Sequence, residues 1–234
     1  MTELVRFPHT PHLVWLGRGK PRGDKVLDAD DVRAMLSGDV VVEEKVDGAN
    51  LGLSVGSGGI LVAQHRGAHL DLGDLHGQWK PLRRRLALRT ETLVHGLGPD
   101  RILFGEWCYA VHSIRYTRLP DWFLAFDVYD RVRGAFWSVA RRNELAARLG
   151  LAIVPQIAHG RFDVEGLKRL LGSSRFTDGP AEGLYIRREE GGWLVARAKL
   201  VRAEFVDGID EHWSRRRLES NRVGCGSPVR GTAG

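Results

Sequence analysis

Residues 43–50 read Glu43-Glu44-Lys45-Val46-Asp47-Gly48-Ala49-Asn50 and follow the apolar run Val40-Val41-Val42. The β-branched run predicts a strand over 40–44, and Asp47-Gly48 predicts a turn. A second strand follows over 50–55, where Leu51, Leu53 and Val55 alternate with Asn50, Gly52 and Ser54. Lys45 therefore stands at the end of a strand and is positioned rather than freely waving. Its neighbours Glu43, Glu44 and Asp47 should raise its pKa, whereas a nucleophilic amine needs burial or nearby cations to lower it. Taken alone, the stretch also reads as a salt-bridged lysine beside an ordinary turn.

Outward from this stretch, Gly56-Ser57-Gly58-Gly59 predicts a hairpin turn into a strand over 60–66. Helices are expected at 28–36, at 81–95, at 138–149 with a stop at Gly150, and at 163–171 with Asp163 as cap. Further strands are expected at 101–107, 122–129, 182–188 and 193–201. In 193–201 the aliphatic Leu194, Ala196, Ala198 and Leu200 share one face, which leaves Arg197 and Lys199 together on the other. Two cations so placed make a phosphate clamp and would depress the pKa of a nearby lysine; the alternative is a solvated basic face. Glu106 lies inside the apolar strand Leu103-Phe104-Gly105-Glu106-Trp107, where a carboxylate needs a ligand, metal or partner. Glu182 precedes Gly183, a residue that permits close approach. Phe126, next to Asp127, is an aromatic able to stack on a base.

The chain has 234 residues, which suits one elaborated domain or a catalytic domain with a small appendage. Its 43% hydrophobic and 27% charged residues exclude a disordered chain. Two cysteines are too few for a disulfide framework or a four-cysteine zinc site, and His9, His12, His65 and His69 lack zinc-like company. The start, MTELVRFPHT, has no long apolar run, so neither a signal peptide nor a membrane span is expected and the default location is cytoplasmic. A net charge of +6 favours nucleic acid or another polyphosphate as partner.

Several of these segments, in this order, resemble the collinear motifs of the covalent nucleotidyltransferase superfamily, which comprises polynucleotide ligases and RNA capping enzymes. EKVDGAN resembles the Lys-x-Asp-Gly motif, AQHRG with Arg66 an arginine element, LFGEW the third motif and FLAFDVYD the aromatic-acidic one. AEGLYIRR resembles the fourth and ARAKLV the fifth. Six matches in order across about 160 residues are far more specific than any one. Asn50, where DNA ligases and capping enzymes typically carry arginine, resembles the nick-sealing RNA ligase group. Arg197 departs from that group's lysine, keeping the charge but changing the donor geometry.

The resemblance implies an α+β nucleotidyltransferase fold of antiparallel sheets flanked by helices. It implies an ATP-dependent RNA ligase in which Lys45 forms a lysyl-AMP intermediate, adenylylates an RNA 5′-phosphate and seals it to a 3′-hydroxyl, with Mg²⁺ or Mn²⁺. Glu44 is expected at the adenine edge, through backbone or side chain. Asn50 and Arg66 are expected near ribose and phosphate, Glu106 at a ribose hydroxyl, and Phe126 stacked on adenine. Arg197 and Lys199 are expected to hold the α-phosphate, Glu182 the metal, and Asp127 to be a second metal ligand. Arg83, Arg84, Arg85 and Arg89, and the run 215–217, are candidates to follow a nucleic-acid backbone. A minimal or dual-strand DNA ligase and a nucleotide-binding module without sealing activity are the alternatives.

On this reading 1–205 form the adenylyltransferase domain and 206–234 a short helical extension with a fraying tail. Segment 205–221, with Glu211, His212, Trp213 and Asn221, resembles the stretch after the last motif in RNA ligase-like proteins. Thirty-three residues follow Val201, too few for a typical OB barrel, so the later steps are expected to depend on a partner protein in place of the usual C-terminal domain, on a short helical cap or on a pre-adenylylated substrate.

Overall fold

The structure, a computed structural model, describes residues 3–19, 21, 25–207 and 217–224. Two antiparallel sheets face each other. The smaller contains β1 (Val40–Lys45), β9 (Gln156–Gly160), β10 (Gly183–Glu190) and β11 (Trp193–Val201), in the order β11-β10-β1-β9. The larger contains β2 (Ala49–Val55), β3 (Leu61–Gln64), β4 (His69–Leu70), β5 (Arg101–Trp107), β6 (Phe123–Asp130) and β7 (Ala135–Phe136), in the order β4-β3-β2-β5-β6-β7. A short β8 (Ala152–Ile153) pairs parallel to β6.

Strand periodicity decides what each sheet face meets. On the smaller sheet Val40, Val42, Leu184, Ile186, Ala198 and Leu200 are buried with Met35 of α1 (Ala29–Met35) and Leu167 of α5 (Val164–Arg169). The intervening Glu43, Tyr185, Arg187, Arg197 and Lys199 occupy the other face, towards the larger sheet. On the larger sheet Leu51, Leu53, Leu103 and Trp107 pack outward against α2 (Leu82–Ala87), α3 (Thr90–Leu97) and α4 (Val139–Arg148). Asn50, Phe104 and Glu106 alternate with them and take the inner face. Between the sheets, Phe7 meets Phe104, Phe126 and Phe136 edge-on at 5.1, 5.2 and 5.5 Å.

The expected strands and caps are present, with Asp163 accepting from the Gly166 amide and Gly150 ending α4 at φ +62°. The helix expected at 81–95 is broken into α2 and α3. Thr90 Oγ1 donates to the Leu86 carbonyl there, a local bond that competes with the helical ladder. The short strands β4, β7, β8 and β9 lie outside the sequence expectation; each takes its place from a neighbour rather than from its own pattern.

Segments outside this core are also tied to it. The Lys199 amide donates to Pro11 (2.9 Å), and the Leu13 amide donates to the Lys199 carbonyl (2.7 Å), so residues 11–13 run along the free edge of β11. After α6 (Ala203–Asp207), residues 217–224 lie against 109–119. The expected boundary at 205 lies within α6, and residues 208–216 of the expected extension lie outside the described residues. Glu211, His212, Trp213, Arg215, Arg216 and the tail 226–234 lie outside the described residues. No helix among the described residues is long and apolar enough to cross a membrane.

Candidate functional site

Where the two sheets part, they enclose a cavity of about 700 Å³. Its walls carry Glu43, Glu44, Lys45, Asn50, Arg66, Glu106, Phe126 and Lys199, which come from five strands and one loop. Lys45 ends β1, and its Nζ donates to Glu182 Oε2 at 2.6 Å. Gly183, next to Glu182, pairs with Lys45 across the strands, and a Cβ there would come within 2.2 Å of the Leu200 carbonyl oxygen. Only glycine allows β10 to pass this close to β11 and deliver Glu182 to the amine.

The electrostatics follow from this crowding. Burial alone would lower the Lys45 pKa, but Glu182, then Glu106 and Asp47, outweigh it and raise it. Burial pushes the Glu106 carboxyl up to about 8, with Glu182 and Asp47 adding to the push and Lys45 opposing it. Glu182 is raised by burial against the pull of Lys45. Of the neighbours expected to raise the Lys45 pKa, Asp47 does so, whereas Glu43 pairs with Arg142 and Glu44 with Ser174, and Glu182 and Glu106 act in their place. Lys199, on the cavity wall, is the cation nearest in kind to what a nucleophilic amine requires.

The Asp47-Gly48 turn is more than a connection. Asp47 Oδ2 accepts from the amides of Ser113 (2.6 Å) and Ile114 (3.0 Å), and the Asp47 amide donates to the buried Tyr116 hydroxyl (2.8 Å). The turn that follows Lys45 is therefore held from both sides by one loop.

Glu44 lies on the opposite face of β1 from Lys45. Its carboxylate accepts from Ser174 Oγ (2.5 Å) and the Arg175 amide (2.9 Å), which ties it to the 173–180 loop. Burial still pushes its pKa up. Of the two routes expected from Glu44 to a base, the backbone one suits this geometry.

Three expected site residues, Glu182, Asp127 and Arg197, are not on the cavity wall, and Glu182 reaches it through Lys45. Asp127 is fully buried, with Arg187 Nη1 at 2.7 Å from Oδ1 and Arg197 Nη1 at 3.1 Å from Oδ2. Arg197 lies over the Phe136 ring at 3.9 Å and reaches the Tyr185 hydroxyl at 3.3 Å. Neither residue lines the cavity. Asp127 and Arg197 pair with each other, each charge meeting its counter-charge across the sheets. Of the basic residues on α2 and α3, Arg85 and Arg89 are held by Asp121 at 3.0 Å, while Arg83 and Arg84 are exposed.

The sequence reading passed over a further set of wall residues. Phe7, His9 and Thr10 come from the N-terminal segment, Gln78 and Trp79 from a one-turn helix, and His112 from the Asp47-binding loop. Non-local placement brings them in, and only the position of His65 beside Arg66 hinted at any of it.

A divalent cation suits this donor set in one form. Glu182 and Glu106 converge on Lys45, and Asn50 Oδ1 is buried without a hydrogen-bond partner among the described residues. No group of three or more His, Cys, Asp or Glu residues is arranged to hold a metal among the described residues. A hydrated ion held by one or two carboxylates fits; a closed protein cage does not.

A family model described as RNA ligase matches residues 38–201, a span that contains Lys45, Glu106, Glu182 and Lys199. Among solved structures, Naegleria gruberi RNA ligase with PPi is similar at a TM-score of 0.59 and 20% identity, over 76% of this chain and 53% of that one. Two variants of that ligase each give a TM-score of 0.60. One has a lysine replaced by methionine and is bound to AMP and Mn; it is 17% identical over 87% of this chain and 63% of its own. The other has a lysine replaced by alanine and is bound to ATP and Mn; it is 18% identical over 86% of this chain and 63% of its own. The chain thus spans between about half and two thirds of the length of these structures, and at such identity the likeness is one of fold. No curated protein matches the chain by sequence.

Proposed function

The chain belongs to the RNA ligase family, and from that premise we propose that it is an ATP-dependent RNA ligase with Lys45 as its nucleophile. The observation that carries the reading is the placement of the Lys45 amine on the cavity wall, 2.6 Å from Glu182 and coupled to Glu106, with Lys199 also lining the space. The carboxylates hold the Lys45 amine in place, and cations that arrive with the nucleotide would offset this acidic field and lower the pKa of the amine.

In the first step the Lys45 ammonium gives one proton to solvent, its Nζ bonds to the α-phosphorus of ATP, the bond from that phosphorus to the bridging oxygen breaks, pyrophosphate leaves, and the bonded nitrogen gives up a second proton. A 5′-phosphate oxygen of RNA then attacks the same phosphorus, and the lysine departs and regains both protons. Last, a 3′-hydroxyl attacks the adenylylated 5′-phosphate and AMP leaves. Phosphoryl chemistry of this kind depends mostly on positioning and charge neutralisation. Lys199 would meet phosphate charge, Phe126 would stack on the adenine, and Glu106 and Asn50 would meet ribose or phosphate groups. Glu182 would hold Mg²⁺ or Mn²⁺, which supplies neutralisation of phosphate charge when bound.

Incubation with ATP labelled at the α-phosphate and Mg²⁺ or Mn²⁺ should leave label on the protein that is stable to alkali and released by acid, as a P–N bond is, and Lys45→Ala should leave none. Label on the Lys45→Ala protein would sink the covalent reading. A gel assay on a nicked RNA duplex and on single-stranded ends, each with ribose or deoxyribose at the 3′ terminus, then tests sealing. Equal sealing of both sugars would favour a dual-strand ligase.

A further inference from the structure

Residues 217–224 lie outside the span matched by the family model, yet they are built into the support of the nucleophile. Asn221 is 2% exposed, and its side chain is fully used. Its Oδ1 accepts from the Tyr116 amide (2.7 Å), and its Nδ2 donates to the carbonyls of Cys108 (2.9 Å) and Ala110 (3.0 Å). The one N–H faces the oxygen and the two carbonyls face the nitrogen, so the network itself fixes the orientation of the amide. The Asn221 backbone adds an amide bond to the Tyr109 carbonyl (2.8 Å) and accepts from Trp122 Nε1 (3.2 Å). One side chain thus joins the two ends of a loop that would otherwise have to supply these partners from water.

That same loop presents Ser113, Ile114 and Tyr116 to Asp47, two residues beyond Lys45. We propose that Asn221 is a positioning residue for nucleotidyl transfer: it holds the 108–119 loop, the loop holds the Asp47 turn, and the turn aims the Lys45 amine. The inference rests on Lys45 being the nucleophile. It goes beyond that reading in making a segment outside the matched core part of the catalytic apparatus. Tyr116 is the link between them, since its amide is held by Asn221 while its hydroxyl holds Asp47.

Two readouts test the chain of contacts separately. Hydrogen exchange on Asn221→Ala reads the link from Asn221 to the turn without reference to activity. The Ser113 and Ile114 amides should exchange at least tenfold faster, with amides in β2 and β5 unchanged. Single-turnover labelling at saturating ATP reads the consequence. Asn221→Ala should lose about tenfold to a hundredfold in maximal rate, as expected for a misplaced nucleophile, with little change in the ATP concentration for half-maximal rate. Tyr116→Phe keeps every Asn221 contact and removes only the hydroxyl that accepts from Asp47. It should show a smaller loss of the same kind, and the double variant should lose less than the two combined. Unchanged exchange at Ser113 and Ile114 overturns the link. A wild-type maximal rate in Tyr116→Phe, or losses confined to ATP affinity, overturns the positioning role. Absence of labelling in the wild-type protein would instead count against Lys45 as nucleophile and leave the exchange result standing.

Discussion

Two groups of charges lie between the sheets, and they are assembled in opposite ways. In one, Glu43, Asp127 and Glu189 meet Arg142, Arg187 and Arg197, with contacts of 2.7 Å for Arg142–Glu43, 2.7 Å for Arg187–Asp127 and 2.9 Å for Arg187–Glu189. Remaining guanidinium donors go to the carbonyls of Phe126 and Trp137. Three acids face three bases, and Glu43, Asp127, Arg142 and Arg187 are closed off from solvent. In the other group Lys45 faces Glu182, Glu106 and Asp47 beside an open cavity, with Lys199 acting on Glu182 and Arg66 on Glu106. Sealed charges join the sheets. Charges gathered at an opening stay within reach of an incoming group, which is what a site for a nucleotide and its metal requires.

The sharpest way to break this contrast is to remove one charge from each group. Lys45→Ala should abolish labelling by ATP while moving the urea midpoint little, since Glu182 can take up a proton in place of the lost partner. Asp127→Ala should do the reverse and cost about 3–5 kcal/mol of stability, because it removes the buried acid that Arg187 and Arg197 share. Urea denaturation beside the labelling assay distinguishes the two, and a collapse of stability in the lysine variant would merge the groups.

A pH series probes the acidic group more finely. The folded-state pKa of Glu106 is raised to about 8 from 4.5, so the folded chain holds a proton that the unfolded chain has already released. Its contribution to stability therefore declines as pH rises from about 4.5 to about 8. Glu106→Gln should flatten the fall in urea midpoint over that window, and an equal slope in the variant would remove Glu106 from the account.

The smallest effect expected is that of Arg197→Lys. The change keeps the charge but loses the ring contact with Phe136 and the fork towards Asp127 and Tyr185, for about 1 kcal/mol of stability. Its labelling rate should fall less than that of Lys199→Ala. A severe loss of labelling at unchanged stability would return Arg197 to the cavity and to the role expected from its place in the strand.

Arg197 also shows how far the sequence can be read. The period of two in 193–201 correctly separates Ala198 and Leu200 from Arg197 and Lys199, because successive side chains alternate whatever the strand packs against. What it cannot separate is Arg197 from Lys199, two cations on one face, one over an aromatic cluster and the other over the cavity. Asp127 and Glu106 pose the same problem among the acids: both interrupt apolar strands, and only Asp127 finds arginines across the gap. Phe7 and His9 carried no local pattern to read as site, and Asn221 stood in a family-like stretch without any sign of what it holds, since these roles depend on segments far away in the chain.

Local chemistry alone determined seven of the eleven strands, the face on which their residues lie, the Lys45 turn and the order of motifs that marks the family. Those features depend on backbone geometry and short spacing, which a linear string records. The tertiary structure alone decided which charges are matched. Lys45 meets Glu182 across 137 positions and Asn221 meets Cys108 across 113, and a charge becomes scaffold or site according to what stands opposite it.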